Sequence, residues 1–179
     1  MKIQLALIIS LISSSAFAQQ AREGDILATF DAAKHPVKGQ WSRTDNGIRV
    51  EPAAAARTLL ATGVPDDYQL TVEFTRVSGD DSVAVIIPVG TVSPALELSG
   101  WQGQAHGLSR VDGLSVKDSK NPTGVRPGTL SNGKRHKLEV TVRASASPHS
   151  VSAKLDGKPL FAWQGEASRL QPNLALNVP

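Results

Sequence analysis

Hydrophobic and polar residues alternate with a period of two through most of the chain. Tyr68, Leu70, Val72 and Phe74 face one way, while Gln69, Thr71, Glu73 and Thr75 face the other. Leu138, Val140 and Val142 alternate with Lys137, Glu139, Thr141 and Arg143, and Val151, Ala153 and Leu155 with Ser150, Ser152 and Lys154. Alternation of this kind predicts antiparallel strands with one face on a core and the other in water. Val83 to Ile87 is an almost unbroken apolar run, which predicts a strand covered on both sides. Four Asn-Gly or Asp-Gly pairs lie between the runs, at 46–47, 112–113, 132–133 and 156–157. Such pairs tolerate the positive φ of tight hairpin turns, so each is a hairpin candidate. Pro52 to Ala61 alone has helical composition, and reads either as a strand or as one short helical turn.

Short strands with turn chemistry between them predict an all-β chain, an antiparallel β-sandwich or jelly roll. Leu70, Val72, Phe74, Val83, Val85, Leu138, Val140 and Leu155 are the expected core, because they share parity along these strands. Ser115 to Ser131 is the longest irregular connection, and long loops tend to be functional or mobile. No internal repeat or linker divides the chain, so residues 19–179 form one expected domain.

Residues 1–18 are expected to be a signal peptide. Met1-Lys2 is a positive n-region, Ile3–Ile12 is apolar apart from Gln4 and Ser10, and Ala16-Phe17-Ala18 supplies small residues at a cleavage site. The apolar run is too short and wrongly flanked for a membrane span, and no later segment is long enough either. The expected location is therefore a periplasm or the cell exterior. The absence of cysteine fits a bacterial export compartment better than a disulfide-rich secretome. It also excludes a disulfide framework, an iron–sulfur cluster, a thiolate zinc site and a cysteine nucleophile. The formal net charge is +3, of which Lys2 in the leader supplies one, too little to point to nucleic acid. No phosphate loop, nucleophile elbow or zinc-protease motif occurs, and no metal or cofactor is expected.

The candidate chemistry is concentrated between residues 95 and 121. On Ala95–Trp101, Leu96 and Leu98 share one face and Glu97, Ser99 and Trp101 the other. An indole beside a carboxylate suits a saccharide, whose C–H face stacks on the ring while polar groups take its hydroxyls. Covering a rim or loop is the plainer role for Trp101. Glu73 points away from its strand's apolar row, which makes Glu73 and Glu97 the candidate carboxylate pair for glycoside chemistry. Two solvated carboxylates on a wet face is the plainer account. His106, Arg110 and Asp112 form a polar cluster that borders the proposed face, with Asn121 in the following loop. A lone histidine with distant acids has no metal-ligand spacing. His136, on an apolar face, reads as a structural edge histidine.

Trp41 before Asn46-Gly47, the Tyr68–Phe74 strand, Gly107-Leu108 to Asp112-Gly113, and the Leu138–Val142 and Val151–Trp163 pattern together resemble the concanavalin A-like lectin/glucanase superfamily. They are most similar to the branch holding the 3-keto-disaccharide hydrolase-like domains of secreted bacterial proteins, over about Ile26 to Val178. The resemblance implies a concanavalin A-like sandwich. It implies hydrolase activity less strongly, because the Glu-x-Asp-x-x-Glu strand of laminarinase-type members does not occur. Family sandwiches end on a further closing strand, which the sequence up to Pro179 does not show. Three functions follow as expectations. The first is a carbohydrate-binding, lectin-like module with a saccharide or polysaccharide partner. The second is a glycoside hydrolase of the 3-keto-disaccharide type, and the third is a structural or protein-interaction sandwich.

Overall fold

The computed structural model describes residues 24–176. The leader expected over residues 1–18 and its cleavage site lie outside the described residues. In chain order the strands are β1 (Pro36–Lys38), β2 (Trp41–Thr44), β3 (Gly47–Val50), β4 (Arg57–Thr58), β5 (Asp67–Thr75), β6 (Val83–Ile86), β7 (Ala95–Ser99), β8 (Ala105–Leu108), β9 (Arg110–Val111), β10 (Leu114–Ser115), β11 (Arg135–Arg143), β12 (His149–Leu155) and β13 (Lys158–Gly165). The chain is all-β, as the alternation predicts. Its main sheets are a four-stranded one in the order β13-β12-β11-β5 and a three-stranded one in the order β6-β7-β8. Two-stranded ribbons pair β1 with β4, β2 with β3 and β9 with β10. Every paired strand named here runs antiparallel.

Side chains from both main sheets join in one hydrophobic cluster. Leu138, Val140, Val142, Val151 and Ala153 enter it from the four-stranded sheet, and Leu96, Leu98 and Leu108 from the three-stranded one. All eight core residues expected from parity belong to this cluster or pack against it. Leu138 and Val140 are buried, whereas Leu70, Val72, Phe74, Val83, Val85 and Leu155 are half-buried. The difference has a geometric origin: β5 and β6 are the outermost strands of their sheets, and Leu155 adjoins a turn. For the same reason the Val83–Ile87 run is not covered on both sides along its length; only Ile87, just past β6, is fully buried.

The turn pairs behave unequally. Asp112-Gly113 and Asp156-Gly157 both close two-residue hairpins with positive φ at each position, 53° and 77° in the first and 52° and 76° in the second. That is the geometry of a type I′ turn, which matches the twist of the flanking strands. The hairpin of β2 and β3 closes one residue earlier than expected, with Thr44 opposite Gly47 and Asp45-Asn46 in the turn. Asn132-Gly133 makes no hairpin. Gly133 N donates to Arg76 O and Asn132 Oδ1 accepts from Arg76 Nε, so the pair pins a connection to the end of β5. The alanine-rich 52–61 stretch is turns around the short β4, with Ala55 at φ 52°.

The irregular 116–134 connection is bonded down onto the three-stranded sheet. His106 and Val125 exchange both backbone hydrogen bonds at 2.9 Å. A Cβ at Gly107 would stand 2.4 Å from Thr123 O, and one at Gly128 2.1 Å from the Ala105 carbonyl carbon. Only glycine permits backbones to approach so closely. After β13 the described chain continues in short 3₁₀ turns at Ala167–Arg169 and Leu174–Leu176 rather than in a strand. No described helix is long and apolar enough to cross a membrane.

Candidate functional site

β7 carries Leu96 and Leu98 into the core, so parity turns Glu97 to the opposite face of the three-stranded sheet. That face is not open to water. Residues 171–175 pass over it, and a cleft of about 590 Å³ lies between, lined by Glu97, Trp101, Ser109, Arg110, Ser115 and the 171–175 segment. Glu97 is 7% exposed, and its Oε1 accepts from Asn173 Nδ2 at 2.9 Å. Oε2 lies against Gly100, where a Cβ would approach to 2.8 Å. Removal from water raises the Glu97 carboxyl above the ordinary glutamate range; the Asn173 amide pulls it down, and the charge of Asp81 adds to the rise.

Trp101 reaches the cleft by an unusual route. β7 and β8 are joined by a left-handed turn over Gly100–Gly103, with φ/ψ of 55°/52° at Trp101 and 59°/47° at Gln102. Ser99 before it is also left-handed, at φ 61°. Non-glycine residues in this region carry strain of about 1–3 kcal/mol each, which persists only where the surroundings impose it. Here they do. Ser99 Oγ accepts from Arg76 Nη1 at 2.8 Å, Ser99 N donates to His106 Nδ1 at 3.1 Å, Gln104 N donates to Gly100 O, and Gly128 N donates to Gly103 O. The turn leaves Trp101 49% exposed, with Lys117 Nζ 3.9 Å from the centre of one ring face.

Ser109 is the third element. It follows β8, is 7% exposed, and its Oγ has no hydrogen-bond partner among the described residues. An unpaired buried hydroxyl costs about 1–3 kcal/mol, so it calls for a partner such as an ordered water, an ion or a ligand group. Arg110 stands at the rim, bonded only weakly to Gly113 O at 3.4 Å. One cleft therefore brings together an aromatic face, a buried carboxyl, a buried hydroxyl without a partner and a guanidinium.

The structure brings together Glu97, Trp101 and Arg110 of the residues singled out in the sequence, and disperses the others. Glu73 lies on the outward face of the other main sheet, ion-paired with Arg135. Glu73 and Glu97 both point away from the shared core on different sheets, so they do not face each other across a cleft. His106 is buried and accepts from Ser99 N; burial lowers its pKa, with the charge of His136 adding to the effect. It shapes the turn rather than lining the cleft. Asp112 forms a bidentate pair with Arg169, at 2.8 and 2.6 Å. Asn121 is buried, donating to Leu108 O and Leu114 O and accepting from Thr123 N and Oγ1, which folds the loop. His136 stacks on Phe74 and bonds Asp156, a structural position.

Nothing in the sequence pattern singles out Ser109, Asn173 or Lys117. Asn173 meets Glu97 across 76 residues of sequence, and no local pattern announces such a contact. Ser109 and Lys117 look like ordinary polar residues of a loop-rich stretch. Among the described residues, no cluster of three His, Asp or Glu side chains could hold a metal ion. No family model matches the chain, and neither a curated protein nor a solved structure is significantly similar to it.

Proposed function

We propose that the protein is an exported carbohydrate-binding module, built as a concanavalin A-like sandwich, whose saccharide site is the cleft at Glu97, Trp101 and Ser109. The observation that carries this reading is the buried, unpartnered Ser109 hydroxyl in the same cleft as a half-exposed indole and a buried carboxyl. A sugar ring stacks its C–H face on the indole face that Lys117 leaves open. Its hydroxyls pair with Ser109 Oγ and Glu97 Oε2, and Arg110 donates from the rim. The cleft volume falls within the few hundred to about 1,000 Å³ of small-ligand sites. Binding is favoured over hydrolysis because Glu97 is the only carboxylate among the described lining residues, whereas most glycosidases use two. The affinity expected of a half-open site with one stacking ring is micromolar to millimolar, about −8 to −4 kcal/mol.

The test is titration of the purified protein against a panel of neutral and acidic oligosaccharides, with a reducing-sugar assay run alongside. Binding is expected to be lost in Trp101→Ala and weakened in Ser109→Ala, with neither variant changing its unfolding midpoint by more than a few degrees. Retained binding in both variants would remove the cleft from consideration. Release of reducing sugar would move the reading to the glycosidase alternative.

A further inference from the structure

The two main sheets have four border strands, β13 and β5 in one and β6 and β8 in the other. A border strand exposes unpaired N–H and C=O groups that pair readily with another chain, and proteins ordinarily blunt it. Three of these borders are blunted, each by a different device. β13 carries Lys158 and Pro159, and its register with β12 shifts between Ala153 and Lys154, leaving Leu160 as the extra residue of a bulge. β8 is covered by the backbone of the following loop through His106 and Val125. β6 is only four residues long.

β5 has none of these protections. It runs for nine residues without Lys, Arg, Pro or Gly, in unbroken register with β11. Asp66 O and Arg76 O, at its two ends, accept from Ala144 N and Gly133 N on the β11 side. By the alternation of an antiparallel ladder, the even-numbered backbone groups of β5 then face β11. The odd-numbered groups at Asp67, Gln69, Thr71, Glu73 and Thr75 face outward, and no partner for them is found among the described residues.

We propose that β5 is a self-pairing interface, through which two copies of this chain join antiparallel about a two-fold axis at Thr71, making one continuous eight-stranded sheet. The sequence of the strand fits itself in this register. Thr71 faces Thr71, Gln69 faces Glu73 and Asp67 faces Thr75, so no like charges oppose each other. Moving the axis one residue to Leu70 sets Asp67 against Glu73, a like-charge pair that disfavours the slip. On the core side the two-fold sets Tyr68 beside Phe74 and Leu70 beside Val72. These four are among the half-buried residues that pack against the core, and continuing the sheet covers the flank they leave open. The same patch serves both subunits, as a closed two-fold dimer requires. The cleft at Glu97 lies on the other sheet and stays free.

Sedimentation velocity over the micromolar range, with hydrogen exchange read residue by residue, tests the interface. The purified protein should sediment as a dimer that dissociates on dilution, and the amides of Gln69, Thr71 and Glu73 should lose protection together as it does. Thr71→Pro removes only an outward-facing N–H, so it should give a folded monomer. Thr71→Lys sets two ammonium groups face to face at the axis and should do the same, which keeps the test intact if the proline variant fails to fold. A parent that sediments as a monomer at every concentration overturns the proposal. So does a monomer whose odd-numbered amides are protected at all dilutions, which would assign the edge to another segment of the same chain. A dimer that survives both substitutions overturns it as well, by placing the contact elsewhere.

Discussion

Replacing Gln102 by glycine should stabilise this protein, although glycine ordinarily weakens whatever it enters. Gln102 holds φ 59° and ψ 47° in the left-handed turn, and its side chain is exposed. A non-glycine residue pays about 1–2 kcal/mol for that conformation. Glycine escapes the penalty but makes the unfolded chain freer, at a cost of about 0.4–1 kcal/mol. No side-chain hydrogen bond of Gln102 is lost, so the net gain is about 0.5–1 kcal/mol. For a domain of this size that raises Tm by about 1–4 °C. Trp101→Gly gives the same backbone relief but removes the Lys117 contact, about 0.5–1 kcal/mol at an exposed site. It also forfeits the contacts of the buried half of the indole, so its net effect on stability is close to zero or slightly unfavourable. The pair therefore separates strain from binding: Gln102→Gly should be more stable and bind saccharide as the parent does, while Trp101→Gly should gain nothing and bind none. Urea titrations followed by circular dichroism, with the same saccharide titration on each variant, give both readouts. A lower urea midpoint in Gln102→Gly refutes the reasoning, because it would mean that residue 102 does not sit in the left-handed region.

Three further outcomes are expected. The Asp156 carboxyl is held down to about 2, first by the Lys137 N–H and then, against some burial, by His136 and Lys134; its contribution is present above the ordinary aspartate range and lost as pH falls from about 4 through 2. Urea midpoints measured across that window should therefore fall less steeply in Asp156→Asn, which keeps the left-handed turn. Glu97 has the opposite sign: its carboxyl is raised, so its stabilising share is present below the usual glutamate range and lost as pH climbs through the elevated value. Glu97→Gln should thus have the higher midpoint near neutral pH, and an unchanged or lower one there would contradict the burial of that carboxyl. Gly128→Ala sets a Cβ 2.1 Å from the Ala105 backbone and should destabilise by several kcal/mol, visible as loss of cooperative unfolding. Gly133→Ala meets open space and carries only the penalty of its left-handed φ of 73°, about 1–2 kcal/mol.

What the sequence made legible was local. A period of two in Tyr68–Phe74 or Leu138–Val142 is a direct image of strand pleat, so strand identity and inward parity could be read from it. The Asp-Gly turns were legible because left-handed φ at two consecutive residues is a demand few dipeptides meet. Asn132-Gly133 misled for the same reason, since its chemistry served a loop whose partner, Arg76, lies far away in the chain. At the site, parity correctly put Glu97 opposite Leu96 and Leu98 but could not say which sheet Glu73 would join, and the two carboxylates went to different sheets. Asp112 and Asn121 stand out in the sequence by their polarity, which the fold spends on Arg169 and on the loop backbone. The far wall of the cleft was invisible, because the Asn173–Glu97 contact depends on the whole path of the chain between them.

That far wall has a consequence for how the molecule is made. Every strand of both main sheets precedes residues 171–175 in the chain, and Leu170, buried and bridged to Val111, is the anchor from which the wall hangs. During synthesis the sheets can therefore close, and the indole turn can set, before the wall leaves the ribosome. The cleft is completed only after both sheets, by a segment that contributes no strand among the described residues. Sequence change in that segment can then retune what the cleft accepts without reopening the question of whether the protein folds. In the division of labour along the chain, the sheets fix the shape once and the closing wall stays free to vary.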